Sequence, residues 1–228
     1  MTSPGLLALV GGEEWTDGCT FDATLLKASG GTDVVVLPTA AAYQHPERVV
    51  FRAAEWFASL GAQVEGLMVV DRASAEDRGL AAVVGRASFI YLAGGSPLHL
   101  RAVLKRSATF DALRRAWEGG AVVAGAGAGA GVLTDPMVDP RGGALTLGLG
   151  LVDQLAIVTH YGDEADDMHG QKLERTVAMA PATLPVVGIP ARTALVRQPD
   201  GEWQADGAGT PVVFIGGTKT EGLGALAR

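Results

Sequence analysis

Residues 120–137 read G-A-V-V-A-G-A-G-A-G-A-G-V-L-T-D-P-M. Ala121-Val122-Val123 is a short apolar run of strand character, residues 125–131 alternate Gly and Ala, and Val132-Leu133-Thr134 begins a helical pattern. A strand that passes into a helix through residues almost without side chains makes a tight turn. Such a turn lets another group approach the backbone closely, and it has two usual uses. It cradles an anion on helix N–H groups, or it lifts a nucleophile out of a sheet.

On the N-terminal side, apolar runs at residues 6–12, 33–40, 64–70 and 88–95 predict strands, and the first and last of them end in Gly-Gly. Between them, residues 46–60 carry Val49, Val50, Ala53, Ala54, Phe57 and Leu60 at helical spacing, with Pro46 near the first turn and Gly61 as the stop. Ser74, followed by Glu76 and Asp77, reads as the cap of a helix running through Val84. Two helical stretches, residues 98–105 and 110–117, lead back to the Gly/Ala turn. This alternation predicts an α/β fold, a three-layer sandwich with a mostly parallel central sheet and a site at the carboxyl ends of its strands. On the C-terminal side, residues 145–152 and 155–160 are apolar and residues 163–178 predict a helix whose first acids suit its positive end. Residues 186–196 read as one strand, 199–202 as a hairpin turn and 203–215 as closing strands, with an exposed tail after Gly216.

With 228 residues, 48% of them hydrophobic, the chain can bury a large core, and no linker divides it, so one domain over residues 1–228 is expected. The formal net charge of −7 and the lack of a Lys/Arg cluster exclude the electrostatic footprint of a nucleic-acid binder. Cys19, the single cysteine, rules out an intramolecular disulfide and a cysteine-based metal cluster and suits a reducing compartment. No basic leader precedes the apolar residues 6–10, which are too few to cross a membrane, so a cytoplasmic protein without membrane attachment is expected.

The turn also resembles the elbow of the serine peptidases related to cyanophycinase and aspartyl dipeptidase, which reads G-T-S-A-G-A. Aligned back from Val132-Leu133-Thr134-Asp135 and Met137, the equivalent here is residues 125–130, G-A-G-A-G-A, and the position of the nucleophilic Ser falls on Gly127. The resemblance runs nearly the whole length of the chain and implies the fold shared with class I glutamine amidotransferases. It also implies that Gly94 and Gly95, with Ala128 after the elbow, supply oxyanion or substrate N–H donors, although Ser96-Pro97 replaces the polar pair of that segment. The family's catalytic histidine corresponds to His160 in Val158-Thr159-His160-Tyr161. Two other features of the pattern are lost. Pro190-Ala191 stands where an acidic pair belongs, and residues 162–167 are acidic where an R-x-R region follows the histidine.

A Ser-His-acid hydrolase needs a hydroxyl, a base within reach of it and a group that orients the base. Of the three, only His160 is kept, and loss of the nucleophile alone costs roughly a million-fold in turnover. The resemblance therefore implies a non-catalytic binding or scaffold protein with a vestigial pocket for a small peptide, amino acid or other carboxylate. The alternative is an active hydrolase of short aspartyl peptides with a relocated nucleophile, Ser96 first and Thr134 or Cys19 after it. With no side chain to present, the elbow is free to relax, and its glycines equally suit close packing or a homo-oligomer interface.

Other chemistries fare worse. Gly125-x-Gly127-x-x-Ala130 formally meets a dinucleotide fingerprint, but it lies late in the chain and no acidic residue ends a following parallel strand, so no cofactor is expected. His45, His99, His160 and His169 with Asp163, Asp166 or Asp167 lack any metal-site spacing, and no metal is expected. Glu14, after the first Gly-Gly turn, reads as a solvated loop carboxylate rather than a site residue.

Overall fold

The computed structural model of the chain describes residues 3–162 and 167–226, apart from the side chains of residues 167–170. At its centre five parallel strands lie in the order β1 (Leu7–Val10), β5 (Val122–Ala126), β4 (Phe89–Leu92), β2 (Asp33–Leu37) and β3 (Gln63–Gly66). Two antiparallel strands, β12 (Thr193–Arg197) and β13 (Trp203–Gly207), extend the sheet beyond β1. The alternation of runs is thus a mostly parallel sheet, as expected. All residues of β1, β4 and β5 are buried, which is why these strands read as unbroken apolar runs rather than alternating ones.

One face of the sheet packs against α1 (Phe21–Ser29) and α2 (Pro46–Ser59) through Phe21, Leu25, Ala53 and Phe57. The other face carries α3 (Arg72–Ala75), α4 (Arg78–Arg86), α5 (Pro97–Leu104), α6 (Ala108–Glu118) and α7 (Ala128–Leu133), with Val84, Leu100, Leu113 and Leu133 among the buried contacts. Helix starts follow capping chemistry. Asp77 Oδ1 accepts from the N–H groups of Gly79 (2.7 Å) and Leu80 (2.9 Å) to start α4, and Ser107 Oγ accepts from Phe110 N (3.1 Å) to start α6. The single helix expected from Ser74 to Val84 is two helices. Asp71 caps the first, and Ser74 is its third residue, closing a capping box with Asp71.

The elbow run is divided differently from its sequence pattern. The strand extends through Ala126, and the helix occupies residues 128–133, so Thr134 begins an extended segment instead of continuing a helix. A Cβ on Gly129 would stand 2.2 Å from the Leu92 carbonyl oxygen, so the absence of side chains is what lets α7 lie directly on the sheet.

After α7, short strands β6 (Thr134–Asp135) and β9 (Val152–Asp153) pair, as do β7 (Met137–Val138) and β8 (Leu145–Thr146). A second sheet is formed in the order β10 (Ala156–Thr159), β11 (Val186–Ile189), β14 (Val212–Ile215) and β15 (Thr218–Thr220), with α8 (Asp167–Met179) beside it. The run 186–196 is therefore not one strand. Pro190 and the positive φ of Arg192 (54°) break it, sending β11 into the second sheet and β12 into the first. Nor is the tail simply exposed after Gly216, because β15 pairs with β14 and Leu226 is buried. No helix among the described residues is long and apolar enough to cross a membrane.

Candidate functional site

At the carboxyl ends of β1, β4, β5 and β10 the chain brings together Gly12, Gly94, Gly127 and His160. Gly127 joins β5 to α7 with φ 51° and ψ −108°. An L side chain enters that region only under strain, and this is the sharp strand-to-helix turn on which a nucleophile is mounted. The elbow has not relaxed. A Cβ built on Gly127 would lie 3.3 Å from His160 Nε2, so the elbow aims at the imidazole although it carries no hydroxyl.

Two contacts and its backbone conformation place the histidine there. His160 N donates to Gly11 O (2.7 Å), its backbone takes a positive φ of 59°, and its ring lies where a Cβ on Gly12 would be, 2.1 Å from Cε1. A non-glycine residue in the left-handed region, at the end of a strand and facing an elbow, is a residue held for its side chain. The segment of Pro190-Ala191 runs along the same ledge, with Pro190 O beside Gly11 and Tyr161 N donating to Ile189 O (3.1 Å), so these two positions lie close to the histidine.

The backbone donors divide into two pairs. Gly127 N donates to Val10 O (2.9 Å) as part of the sheet, and Gly94 N donates to Glu14 Oε1 (3.0 Å). Those two groups are already engaged. Gly95 N and Ala128 N find no acceptor among the described residues, Ala128 because the first helical N–H groups have no partner within a helix. Glu14 corrects its sequence reading. Only 9% exposed, it is folded under the β1 loop against Gly94 rather than solvated. Its neighbour Glu13 instead pairs at the surface with Arg192 (3.3 Å).

The alternative nucleophiles are occupied elsewhere. Ser96 Oγ accepts from His99 N (3.3 Å) as the cap of α5. Ser96→Ala is expected to lower stability by about 1 kcal/mol, the usual cost of a lost cap, and to leave any hydrolysis unchanged, as thermal melts and peptide assays would read. Thr134 is fully buried, with Oγ1 within reach of the Gly131 (3.1 Å) and Pro136 (3.2 Å) carbonyls. Cys19 is buried, its Sγ near Glu13 O (3.5 Å), and burial pushes its thiol above the ordinary value and away from the reactive thiolate.

Two of the histidines have their contacts away from the elbow. His45 pairs with Glu47 (3.3 Å) at the surface, and His99 Nε2 bonds Val70 O (2.8 Å) while its ring meets Tyr43. Among the described residues no three His, Cys, Asp or Glu side chains gather. Asp163 and Asp166 lie outside the described residues, as do the side chains of Asp167 and His169.

Two cavities open on the elbow and share Glu13, Gly95, Gly127, Ala128 and His160. One, of about 460 Å³, is continued by Met137, Ile157 and Lys172, and the other, of about 370 Å³, by Glu14, Gln44 and Arg52. Both are of a size to hold a small ligand. Gln44, Arg52 and Lys172 had no sequence signal, because each sits at a polar position of a loop or helix and reaches the site only through the packing of that element.

A family model described as Peptidase family S51 matches residues 7–202. The chain is 28% identical over 221 residues to the cyanophycinase of Synechococcus elongatus, a match covering 92% of this chain and 67% of that protein. It is 25% identical over 224 residues to the cyanophycinase of Geminocystis herdmanii, covering 92% and 80% respectively. A solved structure of a peptidase from an acI-B1 Actinobacterium superposes with a TM-score of 0.83 at 24% identity, covering 96% of this chain and 94% of that one. With the α/β architecture shared and the family model spanning the strands that carry Gly12, Gly94, Gly127 and His160, the chain belongs to Peptidase family S51.

Proposed function

We propose that this protein is a member of the family that binds rather than cleaves, with its elbow pocket holding a small peptide or amino acid. The observation that carries this reading is the Gly127 turn. It keeps the strained form of a nucleophile elbow and points at His160 Nε2 from 3.3 Å, with nothing on it that attacks a carbonyl. Water held between Gly127 and His160 is a far poorer nucleophile than a mounted hydroxyl, and the million-fold cost of removing such a hydroxyl leaves only the small residue of catalysis that binding and backbone donors provide. The two N–H groups without acceptors, Gly95 and Ala128, and the retained cavities support a pocket that still receives a ligand.

The test is a panel of aspartyl dipeptides and β-linked aspartyl-arginine, the class implied by the family resemblance, assayed beside a His160→Ala control. No turnover above that control is expected, with a rise in melting temperature in the presence of at least one of these compounds. Turnover that disappears in the control would overturn the reading and point to a relocated nucleophile.

A further inference from the structure

The cavity of about 370 Å³ beside the elbow carries one acidic and one basic side chain whose charges are not used by the fold. Glu14 is 9% exposed, and its Oε1 accepts from Gly94 N (3.0 Å). Its second oxygen, Oε2, has no donor among the described residues and is not one of the sealed polar atoms, so it opens on the cavity. A carboxylate kept in place by one backbone bond, with its other oxygen facing a pocket, is a receptor for a positive group. It also fills the place beside Gly94 that an anion would take.

Arg52, from α2, lines the same cavity. Its guanidinium lies 5.9 Å from the centre of the Trp15 ring, and Nη2 is 3.5 Å from the Glu14 carbonyl oxygen. It has no carboxylate within ion-pair distance among the described residues, in contrast to Arg192, which pairs with Glu13. A guanidinium held beside an indole face by a cation–π contact keeps donors for a carboxylate.

We infer that this pocket selects zwitterions, with Glu14 receiving the ligand's ammonium group and Arg52 its carboxylate. This assignment rests on the binding reading above and makes it specific, because Glu14 and Arg52 place one anionic and one cationic group on the same cavity as the Gly95 and Ala128 N–H donors. Free amino acids and short unblocked peptides fit, whereas blocked peptides and simple carboxylates do not.

Calorimetry with three probes tests it on the full chain: aspartyl-leucine, its N-acetyl derivative, which lacks the ammonium, and asparaginyl-leucine amide, which keeps the ammonium but has no carboxylate. Each altered probe is expected to bind at least about tenfold more weakly than aspartyl-leucine, the effect of one charge-assisted contact. Glu14→Gln, which retains an acceptor for Gly94 N, is expected to abolish the discrimination against the acetylated probe. Arg52→Gln, at an exposed helix position that does not endanger folding, is expected to abolish the discrimination against the amide. Equal binding of the three probes to the native protein, or an Arg52→Gln variant that still rejects the amide, overturns the assignment while leaving the pocket a binding site. Failure of aspartyl-leucine and every other unblocked peptide of the panel to bind overturns both.

Discussion

Gly127→Ser is expected to convert this protein into a measurable peptidase, with hydrolysis of a susceptible aspartyl dipeptide rising about 100-fold over the native chain. The Cβ of the new residue would sit 3.3 Å from His160 Nε2, a contact relieved by a movement of a few tenths of an ångström, and the hydroxyl one bond further is then within hydrogen-bond reach of the base. The gain stays far below a full triad because Pro190-Ala191 supplies no carboxylate where the family pattern has an acidic pair. In a serine protease the nucleophile is worth about two million-fold and the orienting acid about thirty thousand-fold, and the ratio of these two sets the expected scale. Serine at φ 51° and ψ −108° also carries backbone strain of about 1–3 kcal/mol, so the melting temperature should fall as the activity appears. Gly127→Ala, equally strained but without a hydroxyl, separates chemistry from sterics, and Gly127→Ser combined with His160→Ala should return activity to the background. Activity equal in the Ser and Ala variants would show that the elbow no longer serves as a nucleophile mount.

The second large effect concerns pH. Asp22 is fully buried at the start of α1, and burial pushes its carboxyl up to about 8, against the lowering effect of the hydrogen bond that Trp56 Nε1 donates to Oδ2 (2.9 Å), while Glu14 and Asp206 add to the rise. The fold thus favours the protonated form. Between the ordinary value of 3.8 and about 8 the folded state holds a proton that the unfolded chain has released. Stability contributed by this group is therefore complete below pH 3.8, declines as pH rises, and is lost once pH passes about 8. The full interval corresponds to at most about 6 kcal/mol, and local relaxation around an ionised Asp22 brings the expected loss to about 2–3 kcal/mol.

Asp22→Asn keeps an acceptor for Trp56 and removes the titration. The variant should match the native protein below pH 3.8 and exceed it by that amount at pH 9, read by urea melts at both values. Parallel pH dependence in the two proteins would mean that Asp22 is ionised in the fold. The buried oxygen Oδ1 and the hydroxyl of Tyr91 are both sealed from solvent and without hydrogen-bond partners among the described residues, and Tyr91 feels the charges of Asp22 and Glu14.

Much of the architecture was legible because it depends on patterns local in the chain. Apolar runs at residues 6–12, 33–40 and 88–95 become strands of the central sheet, and the helical spacing of Ala53 and Phe57 becomes the buried face of α2. The errors fall at boundaries where backbone chemistry outweighs hydropathy. Asp77 starts a helix inside what reads as one segment, and Pro190 with Arg192 divides one apolar run between two sheets. Hydropathy does not record either event, since the first break falls within a polar stretch and the second has apolar residues on both sides.

The site divides along the same line. Sequence alone determined that a Gly/Ala turn follows an apolar strand, and the family resemblance gave Gly127 as the place of the nucleophile and His160 as the base, because these are statements about residue identity at aligned positions. Whether the empty elbow relaxes was a matter for the tertiary structure. Val10 O holds Gly127 N, Leu92 packs under α7, and the His160 ring fills the space over Gly12, so the turn is over-determined by its neighbours and has a strained form with no side chain on Gly127. The roles of Glu14 and Arg52 were likewise decided only in three dimensions. A loop glutamate and a helix-surface arginine, 38 positions apart, look solvated in sequence, and they line one cavity because the β1 loop and α2 pack into the same buried cluster on one face of the sheet.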